Sequence, residues 1–181
     1  LTFGAQSFAA SYEEQCNAAL DAWGWTPKQL QLALEESRRK AISHNKEHWI
    51  SLHNPYPWVK KRLTSFSSEG AEWAVLTTKG RDFAAELLAS LALHPNLIFG
   101  HESGGKTDVL RRIISDRSIS AFVEDRRETL EKILATVDLS SIPCYLVTWG
   151  YLRPDFDSQS LPQGIRLLSP ETMASPLATW S

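Results

Sequence analysis

Apolar residues follow one period up to Asn54-Pro55-Tyr56-Pro57 and a different one after it. Ahead of that break the spacing is helical. Residues 5–22 are alanine-rich and weakly amphipathic, and predict a helix that stops at Trp23-Gly24-Trp25. Thr26-Pro27 reads as a helix start: a hydroxyl cap, then proline at the first helical position, where a missing N–H costs nothing. Leu30, Leu34, Ala41 and Leu52 mark one stripe of a long helix, with Ile42 and Trp49 beside it. Pro55 and Pro57 end the pattern.

Beyond the break, short apolar runs alternate with helical stripes. Trp58 to Phe66 predicts a short helix with Val59, Leu63 and Phe66 inward, and Ser67 to Gly70 a turn. Strands are expected at 72–77, 97–99, 120–123, 144–149 and 165–168. Between them the inward helical faces are Phe83, Leu87, Leu88 and Leu91; Val109, Leu110, Ile113 and Ile114; and Leu130, Ile133, Leu134 and Val137. Strands alternating with helices at this spacing argue an α/β fold, three layers deep, with a mainly parallel sheet. The expected division is therefore a helical piece over 1–53 and an α/β piece over 54–181.

Composition narrows the partners. At 181 residues the chain can bury a real core. A net charge of −2 gives no bulk attraction to nucleic acid or to an anionic membrane. No apolar run approaches the roughly 18–20 residues of a membrane span. Cys16 and Cys144 form neither a metal spacing nor a disulfide framework, so a reducing compartment, the cytoplasm, is expected. The chain opens on Leu1 and not on Met, and is read as a processed, trimmed or fragmentary chain from which any targeting segment would have been lost.

Three polar clusters each close an apolar run: Thr77-Thr78-Lys79, Gly104-Gly105-Lys106-Thr107 and Glu124-Asp125. Ligands of open parallel sheets bind beyond the carboxyl ends of the strands, so these clusters can converge. Thr77 can offer a hydroxyl and a backbone N–H to a phosphate oxygen, with Thr78 beside it. Lys106, at a helix start, adds a point charge where the helix dipole already favours anions. Glu124 and Asp125 are the hard oxygen donors that Mg²⁺ accepts while keeping several waters.

Taken in order, Tyr56-Pro57, Val75-Leu76-Thr77-Thr78-Lys79, Lys106, and Phe122-Val123-Glu124-Asp125 resemble the haloacid dehalogenase-like (HAD) phosphohydrolases, in particular the capped phosphatases of cyanobacterial and plant type. Trp149-Gly150-Tyr151 looks like the same subgroup. The resemblance implies a Rossmann-like α/β/α core over 54–181 preceded by the end of a helical cap over 1–53. It implies phosphate binding by Thr77, Thr78 and Lys106, catalytic roles for Thr77 and Lys106, and Mg²⁺ on Glu124 and Asp125. A small phosphate monoester would be the substrate, hydrolysed through an aspartyl-phosphate. A plastid stroma is the alternative compartment if a transit segment has been lost. The chain departs from the family in having no Asp-x-Asp nucleophile signature before residue 54, and Thr129 stands where a further acid is expected. The nucleophile is therefore expected upstream of this chain, on a first, central strand that is missing here. Its absence would leave the strands ending at Thr77 and Asp125 about two strand spacings apart, roughly 9–10 Å, or force them to pair directly. The chain alone is then expected to be inactive; in the intact protein, Lys106→Ala is expected to lower turnover by orders of magnitude with little loss of fold.

Two other motifs compete. Gly100 to Thr107 matches the P-loop pattern G-x-x-x-x-G-K-[ST], which would make the protein a nucleotide binder. His44-Asn45-Lys46-Glu47-His48 matches an inverted zinc-protease pattern, although a solvated helix face explains it better. A noncatalytic HAD-like binding module is the remaining alternative. Arg126 and Arg127 read as solvated, Cys144 as an inert buried thiol, and Trp23, Trp25, Trp49 and Trp58 as packing residues.

Overall fold

The computed structural model describes residues 12–150, 152 and 158–180. By its internal contacts the chain divides into two units, 1–53 and 54–181.

The first unit is helical where described. Helix α1 spans Tyr12–Trp23 and α2 spans Pro27–Ser51. Gly24 takes a left-handed φ of 65° between them, which glycine does without strain. The helix starts at Thr26-Pro27 as the sequence predicts, and Thr26 and Gln29 close a reciprocal capping box there. The long helix is not continuous, however. Asn45 leaves helical geometry (φ −157°, ψ 92°), and its side-chain oxygen accepts the His48 N–H at 2.9 Å, capping a new segment. An asparagine that can satisfy an orphan donor competes with the helix interior, and here it wins. The expected stripe is also corrected. Leu34 and Leu52 are exposed, as are Trp23 and Trp25, while Ala19, Leu20 and Trp49 are buried. Residues 5–11 of the first expected helix lie outside the described residues.

The second unit is mixed α/β with two small parallel sheets. Its elements in order are α3 (Pro57–Ser65), β1 (Ala74–Leu76), α4 (Arg81–Ser90), β2 (Leu97–Phe99), α5 (Lys106–Ile114), β3 (Phe122–Glu124), α6 (Arg127–Leu134), β4 (Cys144–Val147), β5 (Ile165–Leu168) and α7 (Pro170–Ala174). Strands β1 and β2 pair in register Val75 to Ile98, and β3, β4 and β5 pair with β4 central, Val123 facing Tyr145 and Cys144 facing Ile165. All four residues of β4 are buried, the mark of a parallel strand covered on both faces. Its alternation sorts them. Cys144 and Leu146 join one apolar cluster with Leu110, Leu130 and Ile133; Tyr145 and Val147 join another with Phe66, Met173 and Trp180. Val137, expected inward, lies beyond the end of α6 and is 91% exposed; Leu139 takes the buried place.

Both clusters also receive side chains from the β1–β2 side: Leu76 packs on the first and Trp73 on the second. Yet β1 and β3 do not pair, so the expectation of direct pairing is not met among the described residues. Of residues 1–20, Tyr12 onward is helix α1 and supplies no strand; residues 1–11 lie outside the described residues.

A buried guanidinium fastens the C-terminal segment. Arg62 donates from Nε to the Met173 carbonyl at 2.7 Å and pairs with Glu69, whose Oε2 also accepts the Leu177 N–H at 2.7 Å. Arg62 also lies over the Phe66 ring, 4.3 Å from its centroid. The Arg62 hydrogen bond holds the Glu69 carboxyl below its ordinary value of 4.5. A carboxyl lowered in the folded state stabilises above its unfolded value, and that stability is lost as pH falls through the folded one. Glu69→Gln is therefore expected to unfold more easily than the parent at neutral pH, with the two midpoints converging on acidification below 4.5, as urea titrations at a series of pH values will show.

Candidate functional site

The C-terminal ends of β1, β2 and β3 carry the polar clusters. Lys106, the first residue of α5, reaches across to Glu124 at the end of β3, and their ammonium and carboxylate are hydrogen-bonded. This contact brings the second and third clusters together. The Glu124 side chain is only 8% exposed and that of Lys106 26%. Burial raises the Glu124 carboxyl above the ordinary 4.5, opposed by Lys106 and assisted by the neighbouring negative charge of Asp125. Asp125 itself is exposed.

Asp125 is held from behind by a missing side chain. A Cβ on Gly150 would stand 2.6 Å from the Asp125 Cβ and 2.7 Å from a Val147 methyl, so only glycine allows this approach. Gly150 is positioned in turn by its neighbour Trp149. The Tyr56 hydroxyl donates to the Trp149 carbonyl at 2.9 Å, and the Trp58 and Trp149 rings meet edge-on with centroids 4.6 Å apart. Tyr56-Pro57 thus acts on the site through the 149–150 backbone. Tyr151 lies outside the described residues. The sequence marked Gly150 only through the resemblance of Trp149-Gly150-Tyr151, and gave no sign of its contact with Asp125.

Thr77 stands where the sequence places it but offers less than expected. Its N–H continues the sheet, donating to the Phe99 carbonyl at 2.9 Å, and is not open to a phosphate. Its hydroxyl oxygen accepts the Lys79 N–H at 3.1 Å, which leaves the hydroxyl proton to donate. Thr78 is exposed on the same turn. Glu102, which sequence reasoning missed, accepts the Arg81 N–H at 3.0 Å and so caps α4 in place of the side chain that Gly80 lacks. Gly100 makes room for it, because a Cβ there would lie 2.3 Å from the Arg81 nitrogen.

The P-loop expectation meets a geometric obstacle. A P-loop turns successive N–H groups toward its phosphates. Here the His101 N–H donates to Lys79, Ser103 to Gly100, Gly104 to His101, and Gly105 to the Asp108 carboxylate. With those donors turned inward, Gly100–Thr107 forms a 3₁₀ turn (His101–Ser103) and a helix start, not a cradle. The zinc pattern fares no better, because the break at Asn45 separates His44 from His48. Among the described residues no group of three or more His, Cys, Asp or Glu could hold a metal. Arg127 pairs with Glu131. Cys144 is buried, and burial pushes its thiol up to about 11, so it is not a nucleophile.

Mg²⁺ takes one or two protein carboxylates and completes its shell with water and substrate oxygens; exposed Asp125 has that donor chemistry, Glu124 is engaged by Lys106, and two carboxylates would not suffice for zinc. No family model, curated protein or solved structure matches the chain.

The buried pair changes what Lys106 can tolerate. Its removal strands a desolvated carboxylate, so Lys106→Ala is no longer expected to leave the fold intact. Lys106→Met should cost about 3 kcal/mol, and Lys106→Met with Glu124→Leu should recover most of it. In the parent, a carboxyl-observed NMR titration should place the Glu124 midpoint above 4.5, and higher again in Lys106→Met. A midpoint at or below 4.5 in the parent contradicts the burial argument.

Proposed function

We propose that the chain is the C-terminal portion of a Mg²⁺-dependent HAD-type phosphatase that hydrolyses a small phosphate monoester. The observation that carries this reading is the Lys106–Glu124 contact, which joins a cation at the end of one sheet to a carboxylate pair at the end of the other. Residues 1–53 are then the remnant of a helical cap, and the α/β unit is the Rossmann-like core. Mg²⁺, when bound, would neutralise charge on the transferring phosphoryl group. Asp125, its carboxylate outward, would hold it, assisted by Glu124, which keeps Lys106 aimed at the same point. The Lys106 ammonium and the Thr77 hydroxyl proton would stabilise the phosphoryl oxygens as charge develops on them.

The nucleophile belongs to the upstream segment. An Asp carboxylate oxygen attacks phosphorus, the P–O bond to the substrate alcohol breaks, and water then cleaves the aspartyl-phosphate to give inorganic phosphate and regenerate the carboxylate. The engaged N–H groups of Gly100–Thr107 count against nucleotide binding by a P-loop. A noncatalytic module with the same pocket would bind phosphate and Mg²⁺ without turnover.

The test uses the full-length chain, extended upstream, with p-nitrophenyl phosphate. Mg²⁺-dependent hydrolysis is expected, lowered about 10³-fold in Asp125→Asn with an unchanged unfolding midpoint. The 181-residue chain alone is expected to be inactive. A folded full-length protein with no hydrolysis removes the phosphatase reading, and saturable phosphate binding in that protein would favour the binding module.

A further inference from the structure

We infer that the α/β unit carries a second ligand site, remote from the polar strand ends, for an uncharged nucleobase or its nucleoside. A cleft of about 390 Å³ opens between the end of α3 and the loop that joins α4 to β2. Pockets of this size hold small molecules. Trp73 directly precedes β1 and Asn96 directly precedes β2, so the cleft lies at the amino ends of these strands. Thr77 closes the opposite end of β1. Leu63, Ala71 and Leu93 supply apolar lining, and half-buried Trp73 supplies an aromatic surface for a planar ring.

The polar groups of the cleft sort into acceptors and a donor. The Thr64 hydroxyl donates to the Lys61 carbonyl at 2.8 Å and the Ser67 hydroxyl to the Thr64 carbonyl at 3.4 Å. Both protons are spent on backbone, and both oxygens are left to accept. On the β2 side, the Asn96 side-chain oxygen accepts the Trp73 N–H at 3.2 Å, and the Asn96 backbone N–H donates to the Trp73 carbonyl at 2.9 Å. Asn96 thus fixes Trp73 in place, and its side-chain NH₂, with no partner among the described residues, is left to donate. Acceptors from the α3 side and a donor from the β2 side complement a ring that carries both an N–H and a ring nitrogen or carbonyl. Phosphate has no counterpart here. Among the described residues no lysine or arginine lines the cleft, and the Glu72 carboxylate in its lining already pairs with Arg117. Ala92, also in the lining, holds a left-handed φ of 53°, a conformation that glycine takes with less strain.

The site is independent of the phosphatase reading, and its test involves no turnover. The probe is adenosine, titrated into the full-length chain and followed by amide NMR. Saturable shifts are expected at Ser67, Trp73, His94 and Asn96, with Lys106, Asp125 and Gly150 unmoved. Thr64→Val keeps the shape of the wall and removes one acceptor, so binding should weaken about fivefold. Ser67→Leu fills the cleft and should abolish binding; if it also disturbs the fold, Thr64→Val decides. The dimethylamino analogue of adenosine, which lacks the base N–H, should bind more weakly, and AMP no more tightly than adenosine. Four results would overturn the proposal: no saturable shift, shifts centred on Lys106 and Asp125, undiminished binding in Thr64→Val, or tighter binding of AMP.

Discussion

A carboxylate taken out of water at the end of a parallel strand must find a cation, and Glu124 finds Lys106. That requirement organises the α/β unit. The lysine opens α5, after the 3₁₀ turn that follows β2, so satisfying Glu124 fixes the end of one sheet against the end of the other. With Glu124 committed inward, the next residue, Asp125, faces solvent with Gly150 against its back. The same pair ties the start of α5 to the end of β3 and sets a cation beside the two carboxylates on which the proposed chemistry depends.

The two sheets are joined by side chains and not by backbone. Their apolar residues divide between the same two clusters, yet among the described residues β1 and β3 pair with one neighbour each and not with one another. Parallel strands are ordinarily buried on both faces, and β4 obeys that rule. Strands β1 and β2 do not; Ala74 is exposed and the other residues of both strands are only half-buried. The contrast locates the weaker region of the unit on the β1–β2 side, where pairing is limited to one neighbour.

Much of this was legible in the sequence because local rules governed it. Thr26-Pro27 starts a helix through capping chemistry alone, and the runs expected as strands at 72–77, 97–99, 120–123, 144–149 and 165–168 each overlap an observed strand, three of them with shifted or shortened ends. The polar clusters at Thr77, Lys106 and Glu124-Asp125 follow from where those strands end. What escaped depended on contacts distant in sequence or on one residue's competing hydrogen bond. Asn45 broke a helix by capping the segment after it. Thr77 lost its N–H to a neighbouring strand. Gly100 and Gly150 are explained only by the Arg81 amide and the Asp125 side chain that crowd them. Val137 continued a helical period past the point where the helix had already stopped.

The central claim, that the strand ends form one site for a divalent cation and a phosphate, is most directly tested by paramagnetic NMR. Mn²⁺ substitutes for Mg²⁺ at oxygen sites and broadens nearby amide signals. Titrated into the protein with inorganic phosphate, it should broaden Asp125, Gly150, Lys106 and Thr77 first and together, and in Asp125→Asn that group should stay sharp. Broadening centred on other acids, such as Asp108 or Asp138, with Asp125 and Thr77 unaffected, would contradict the account.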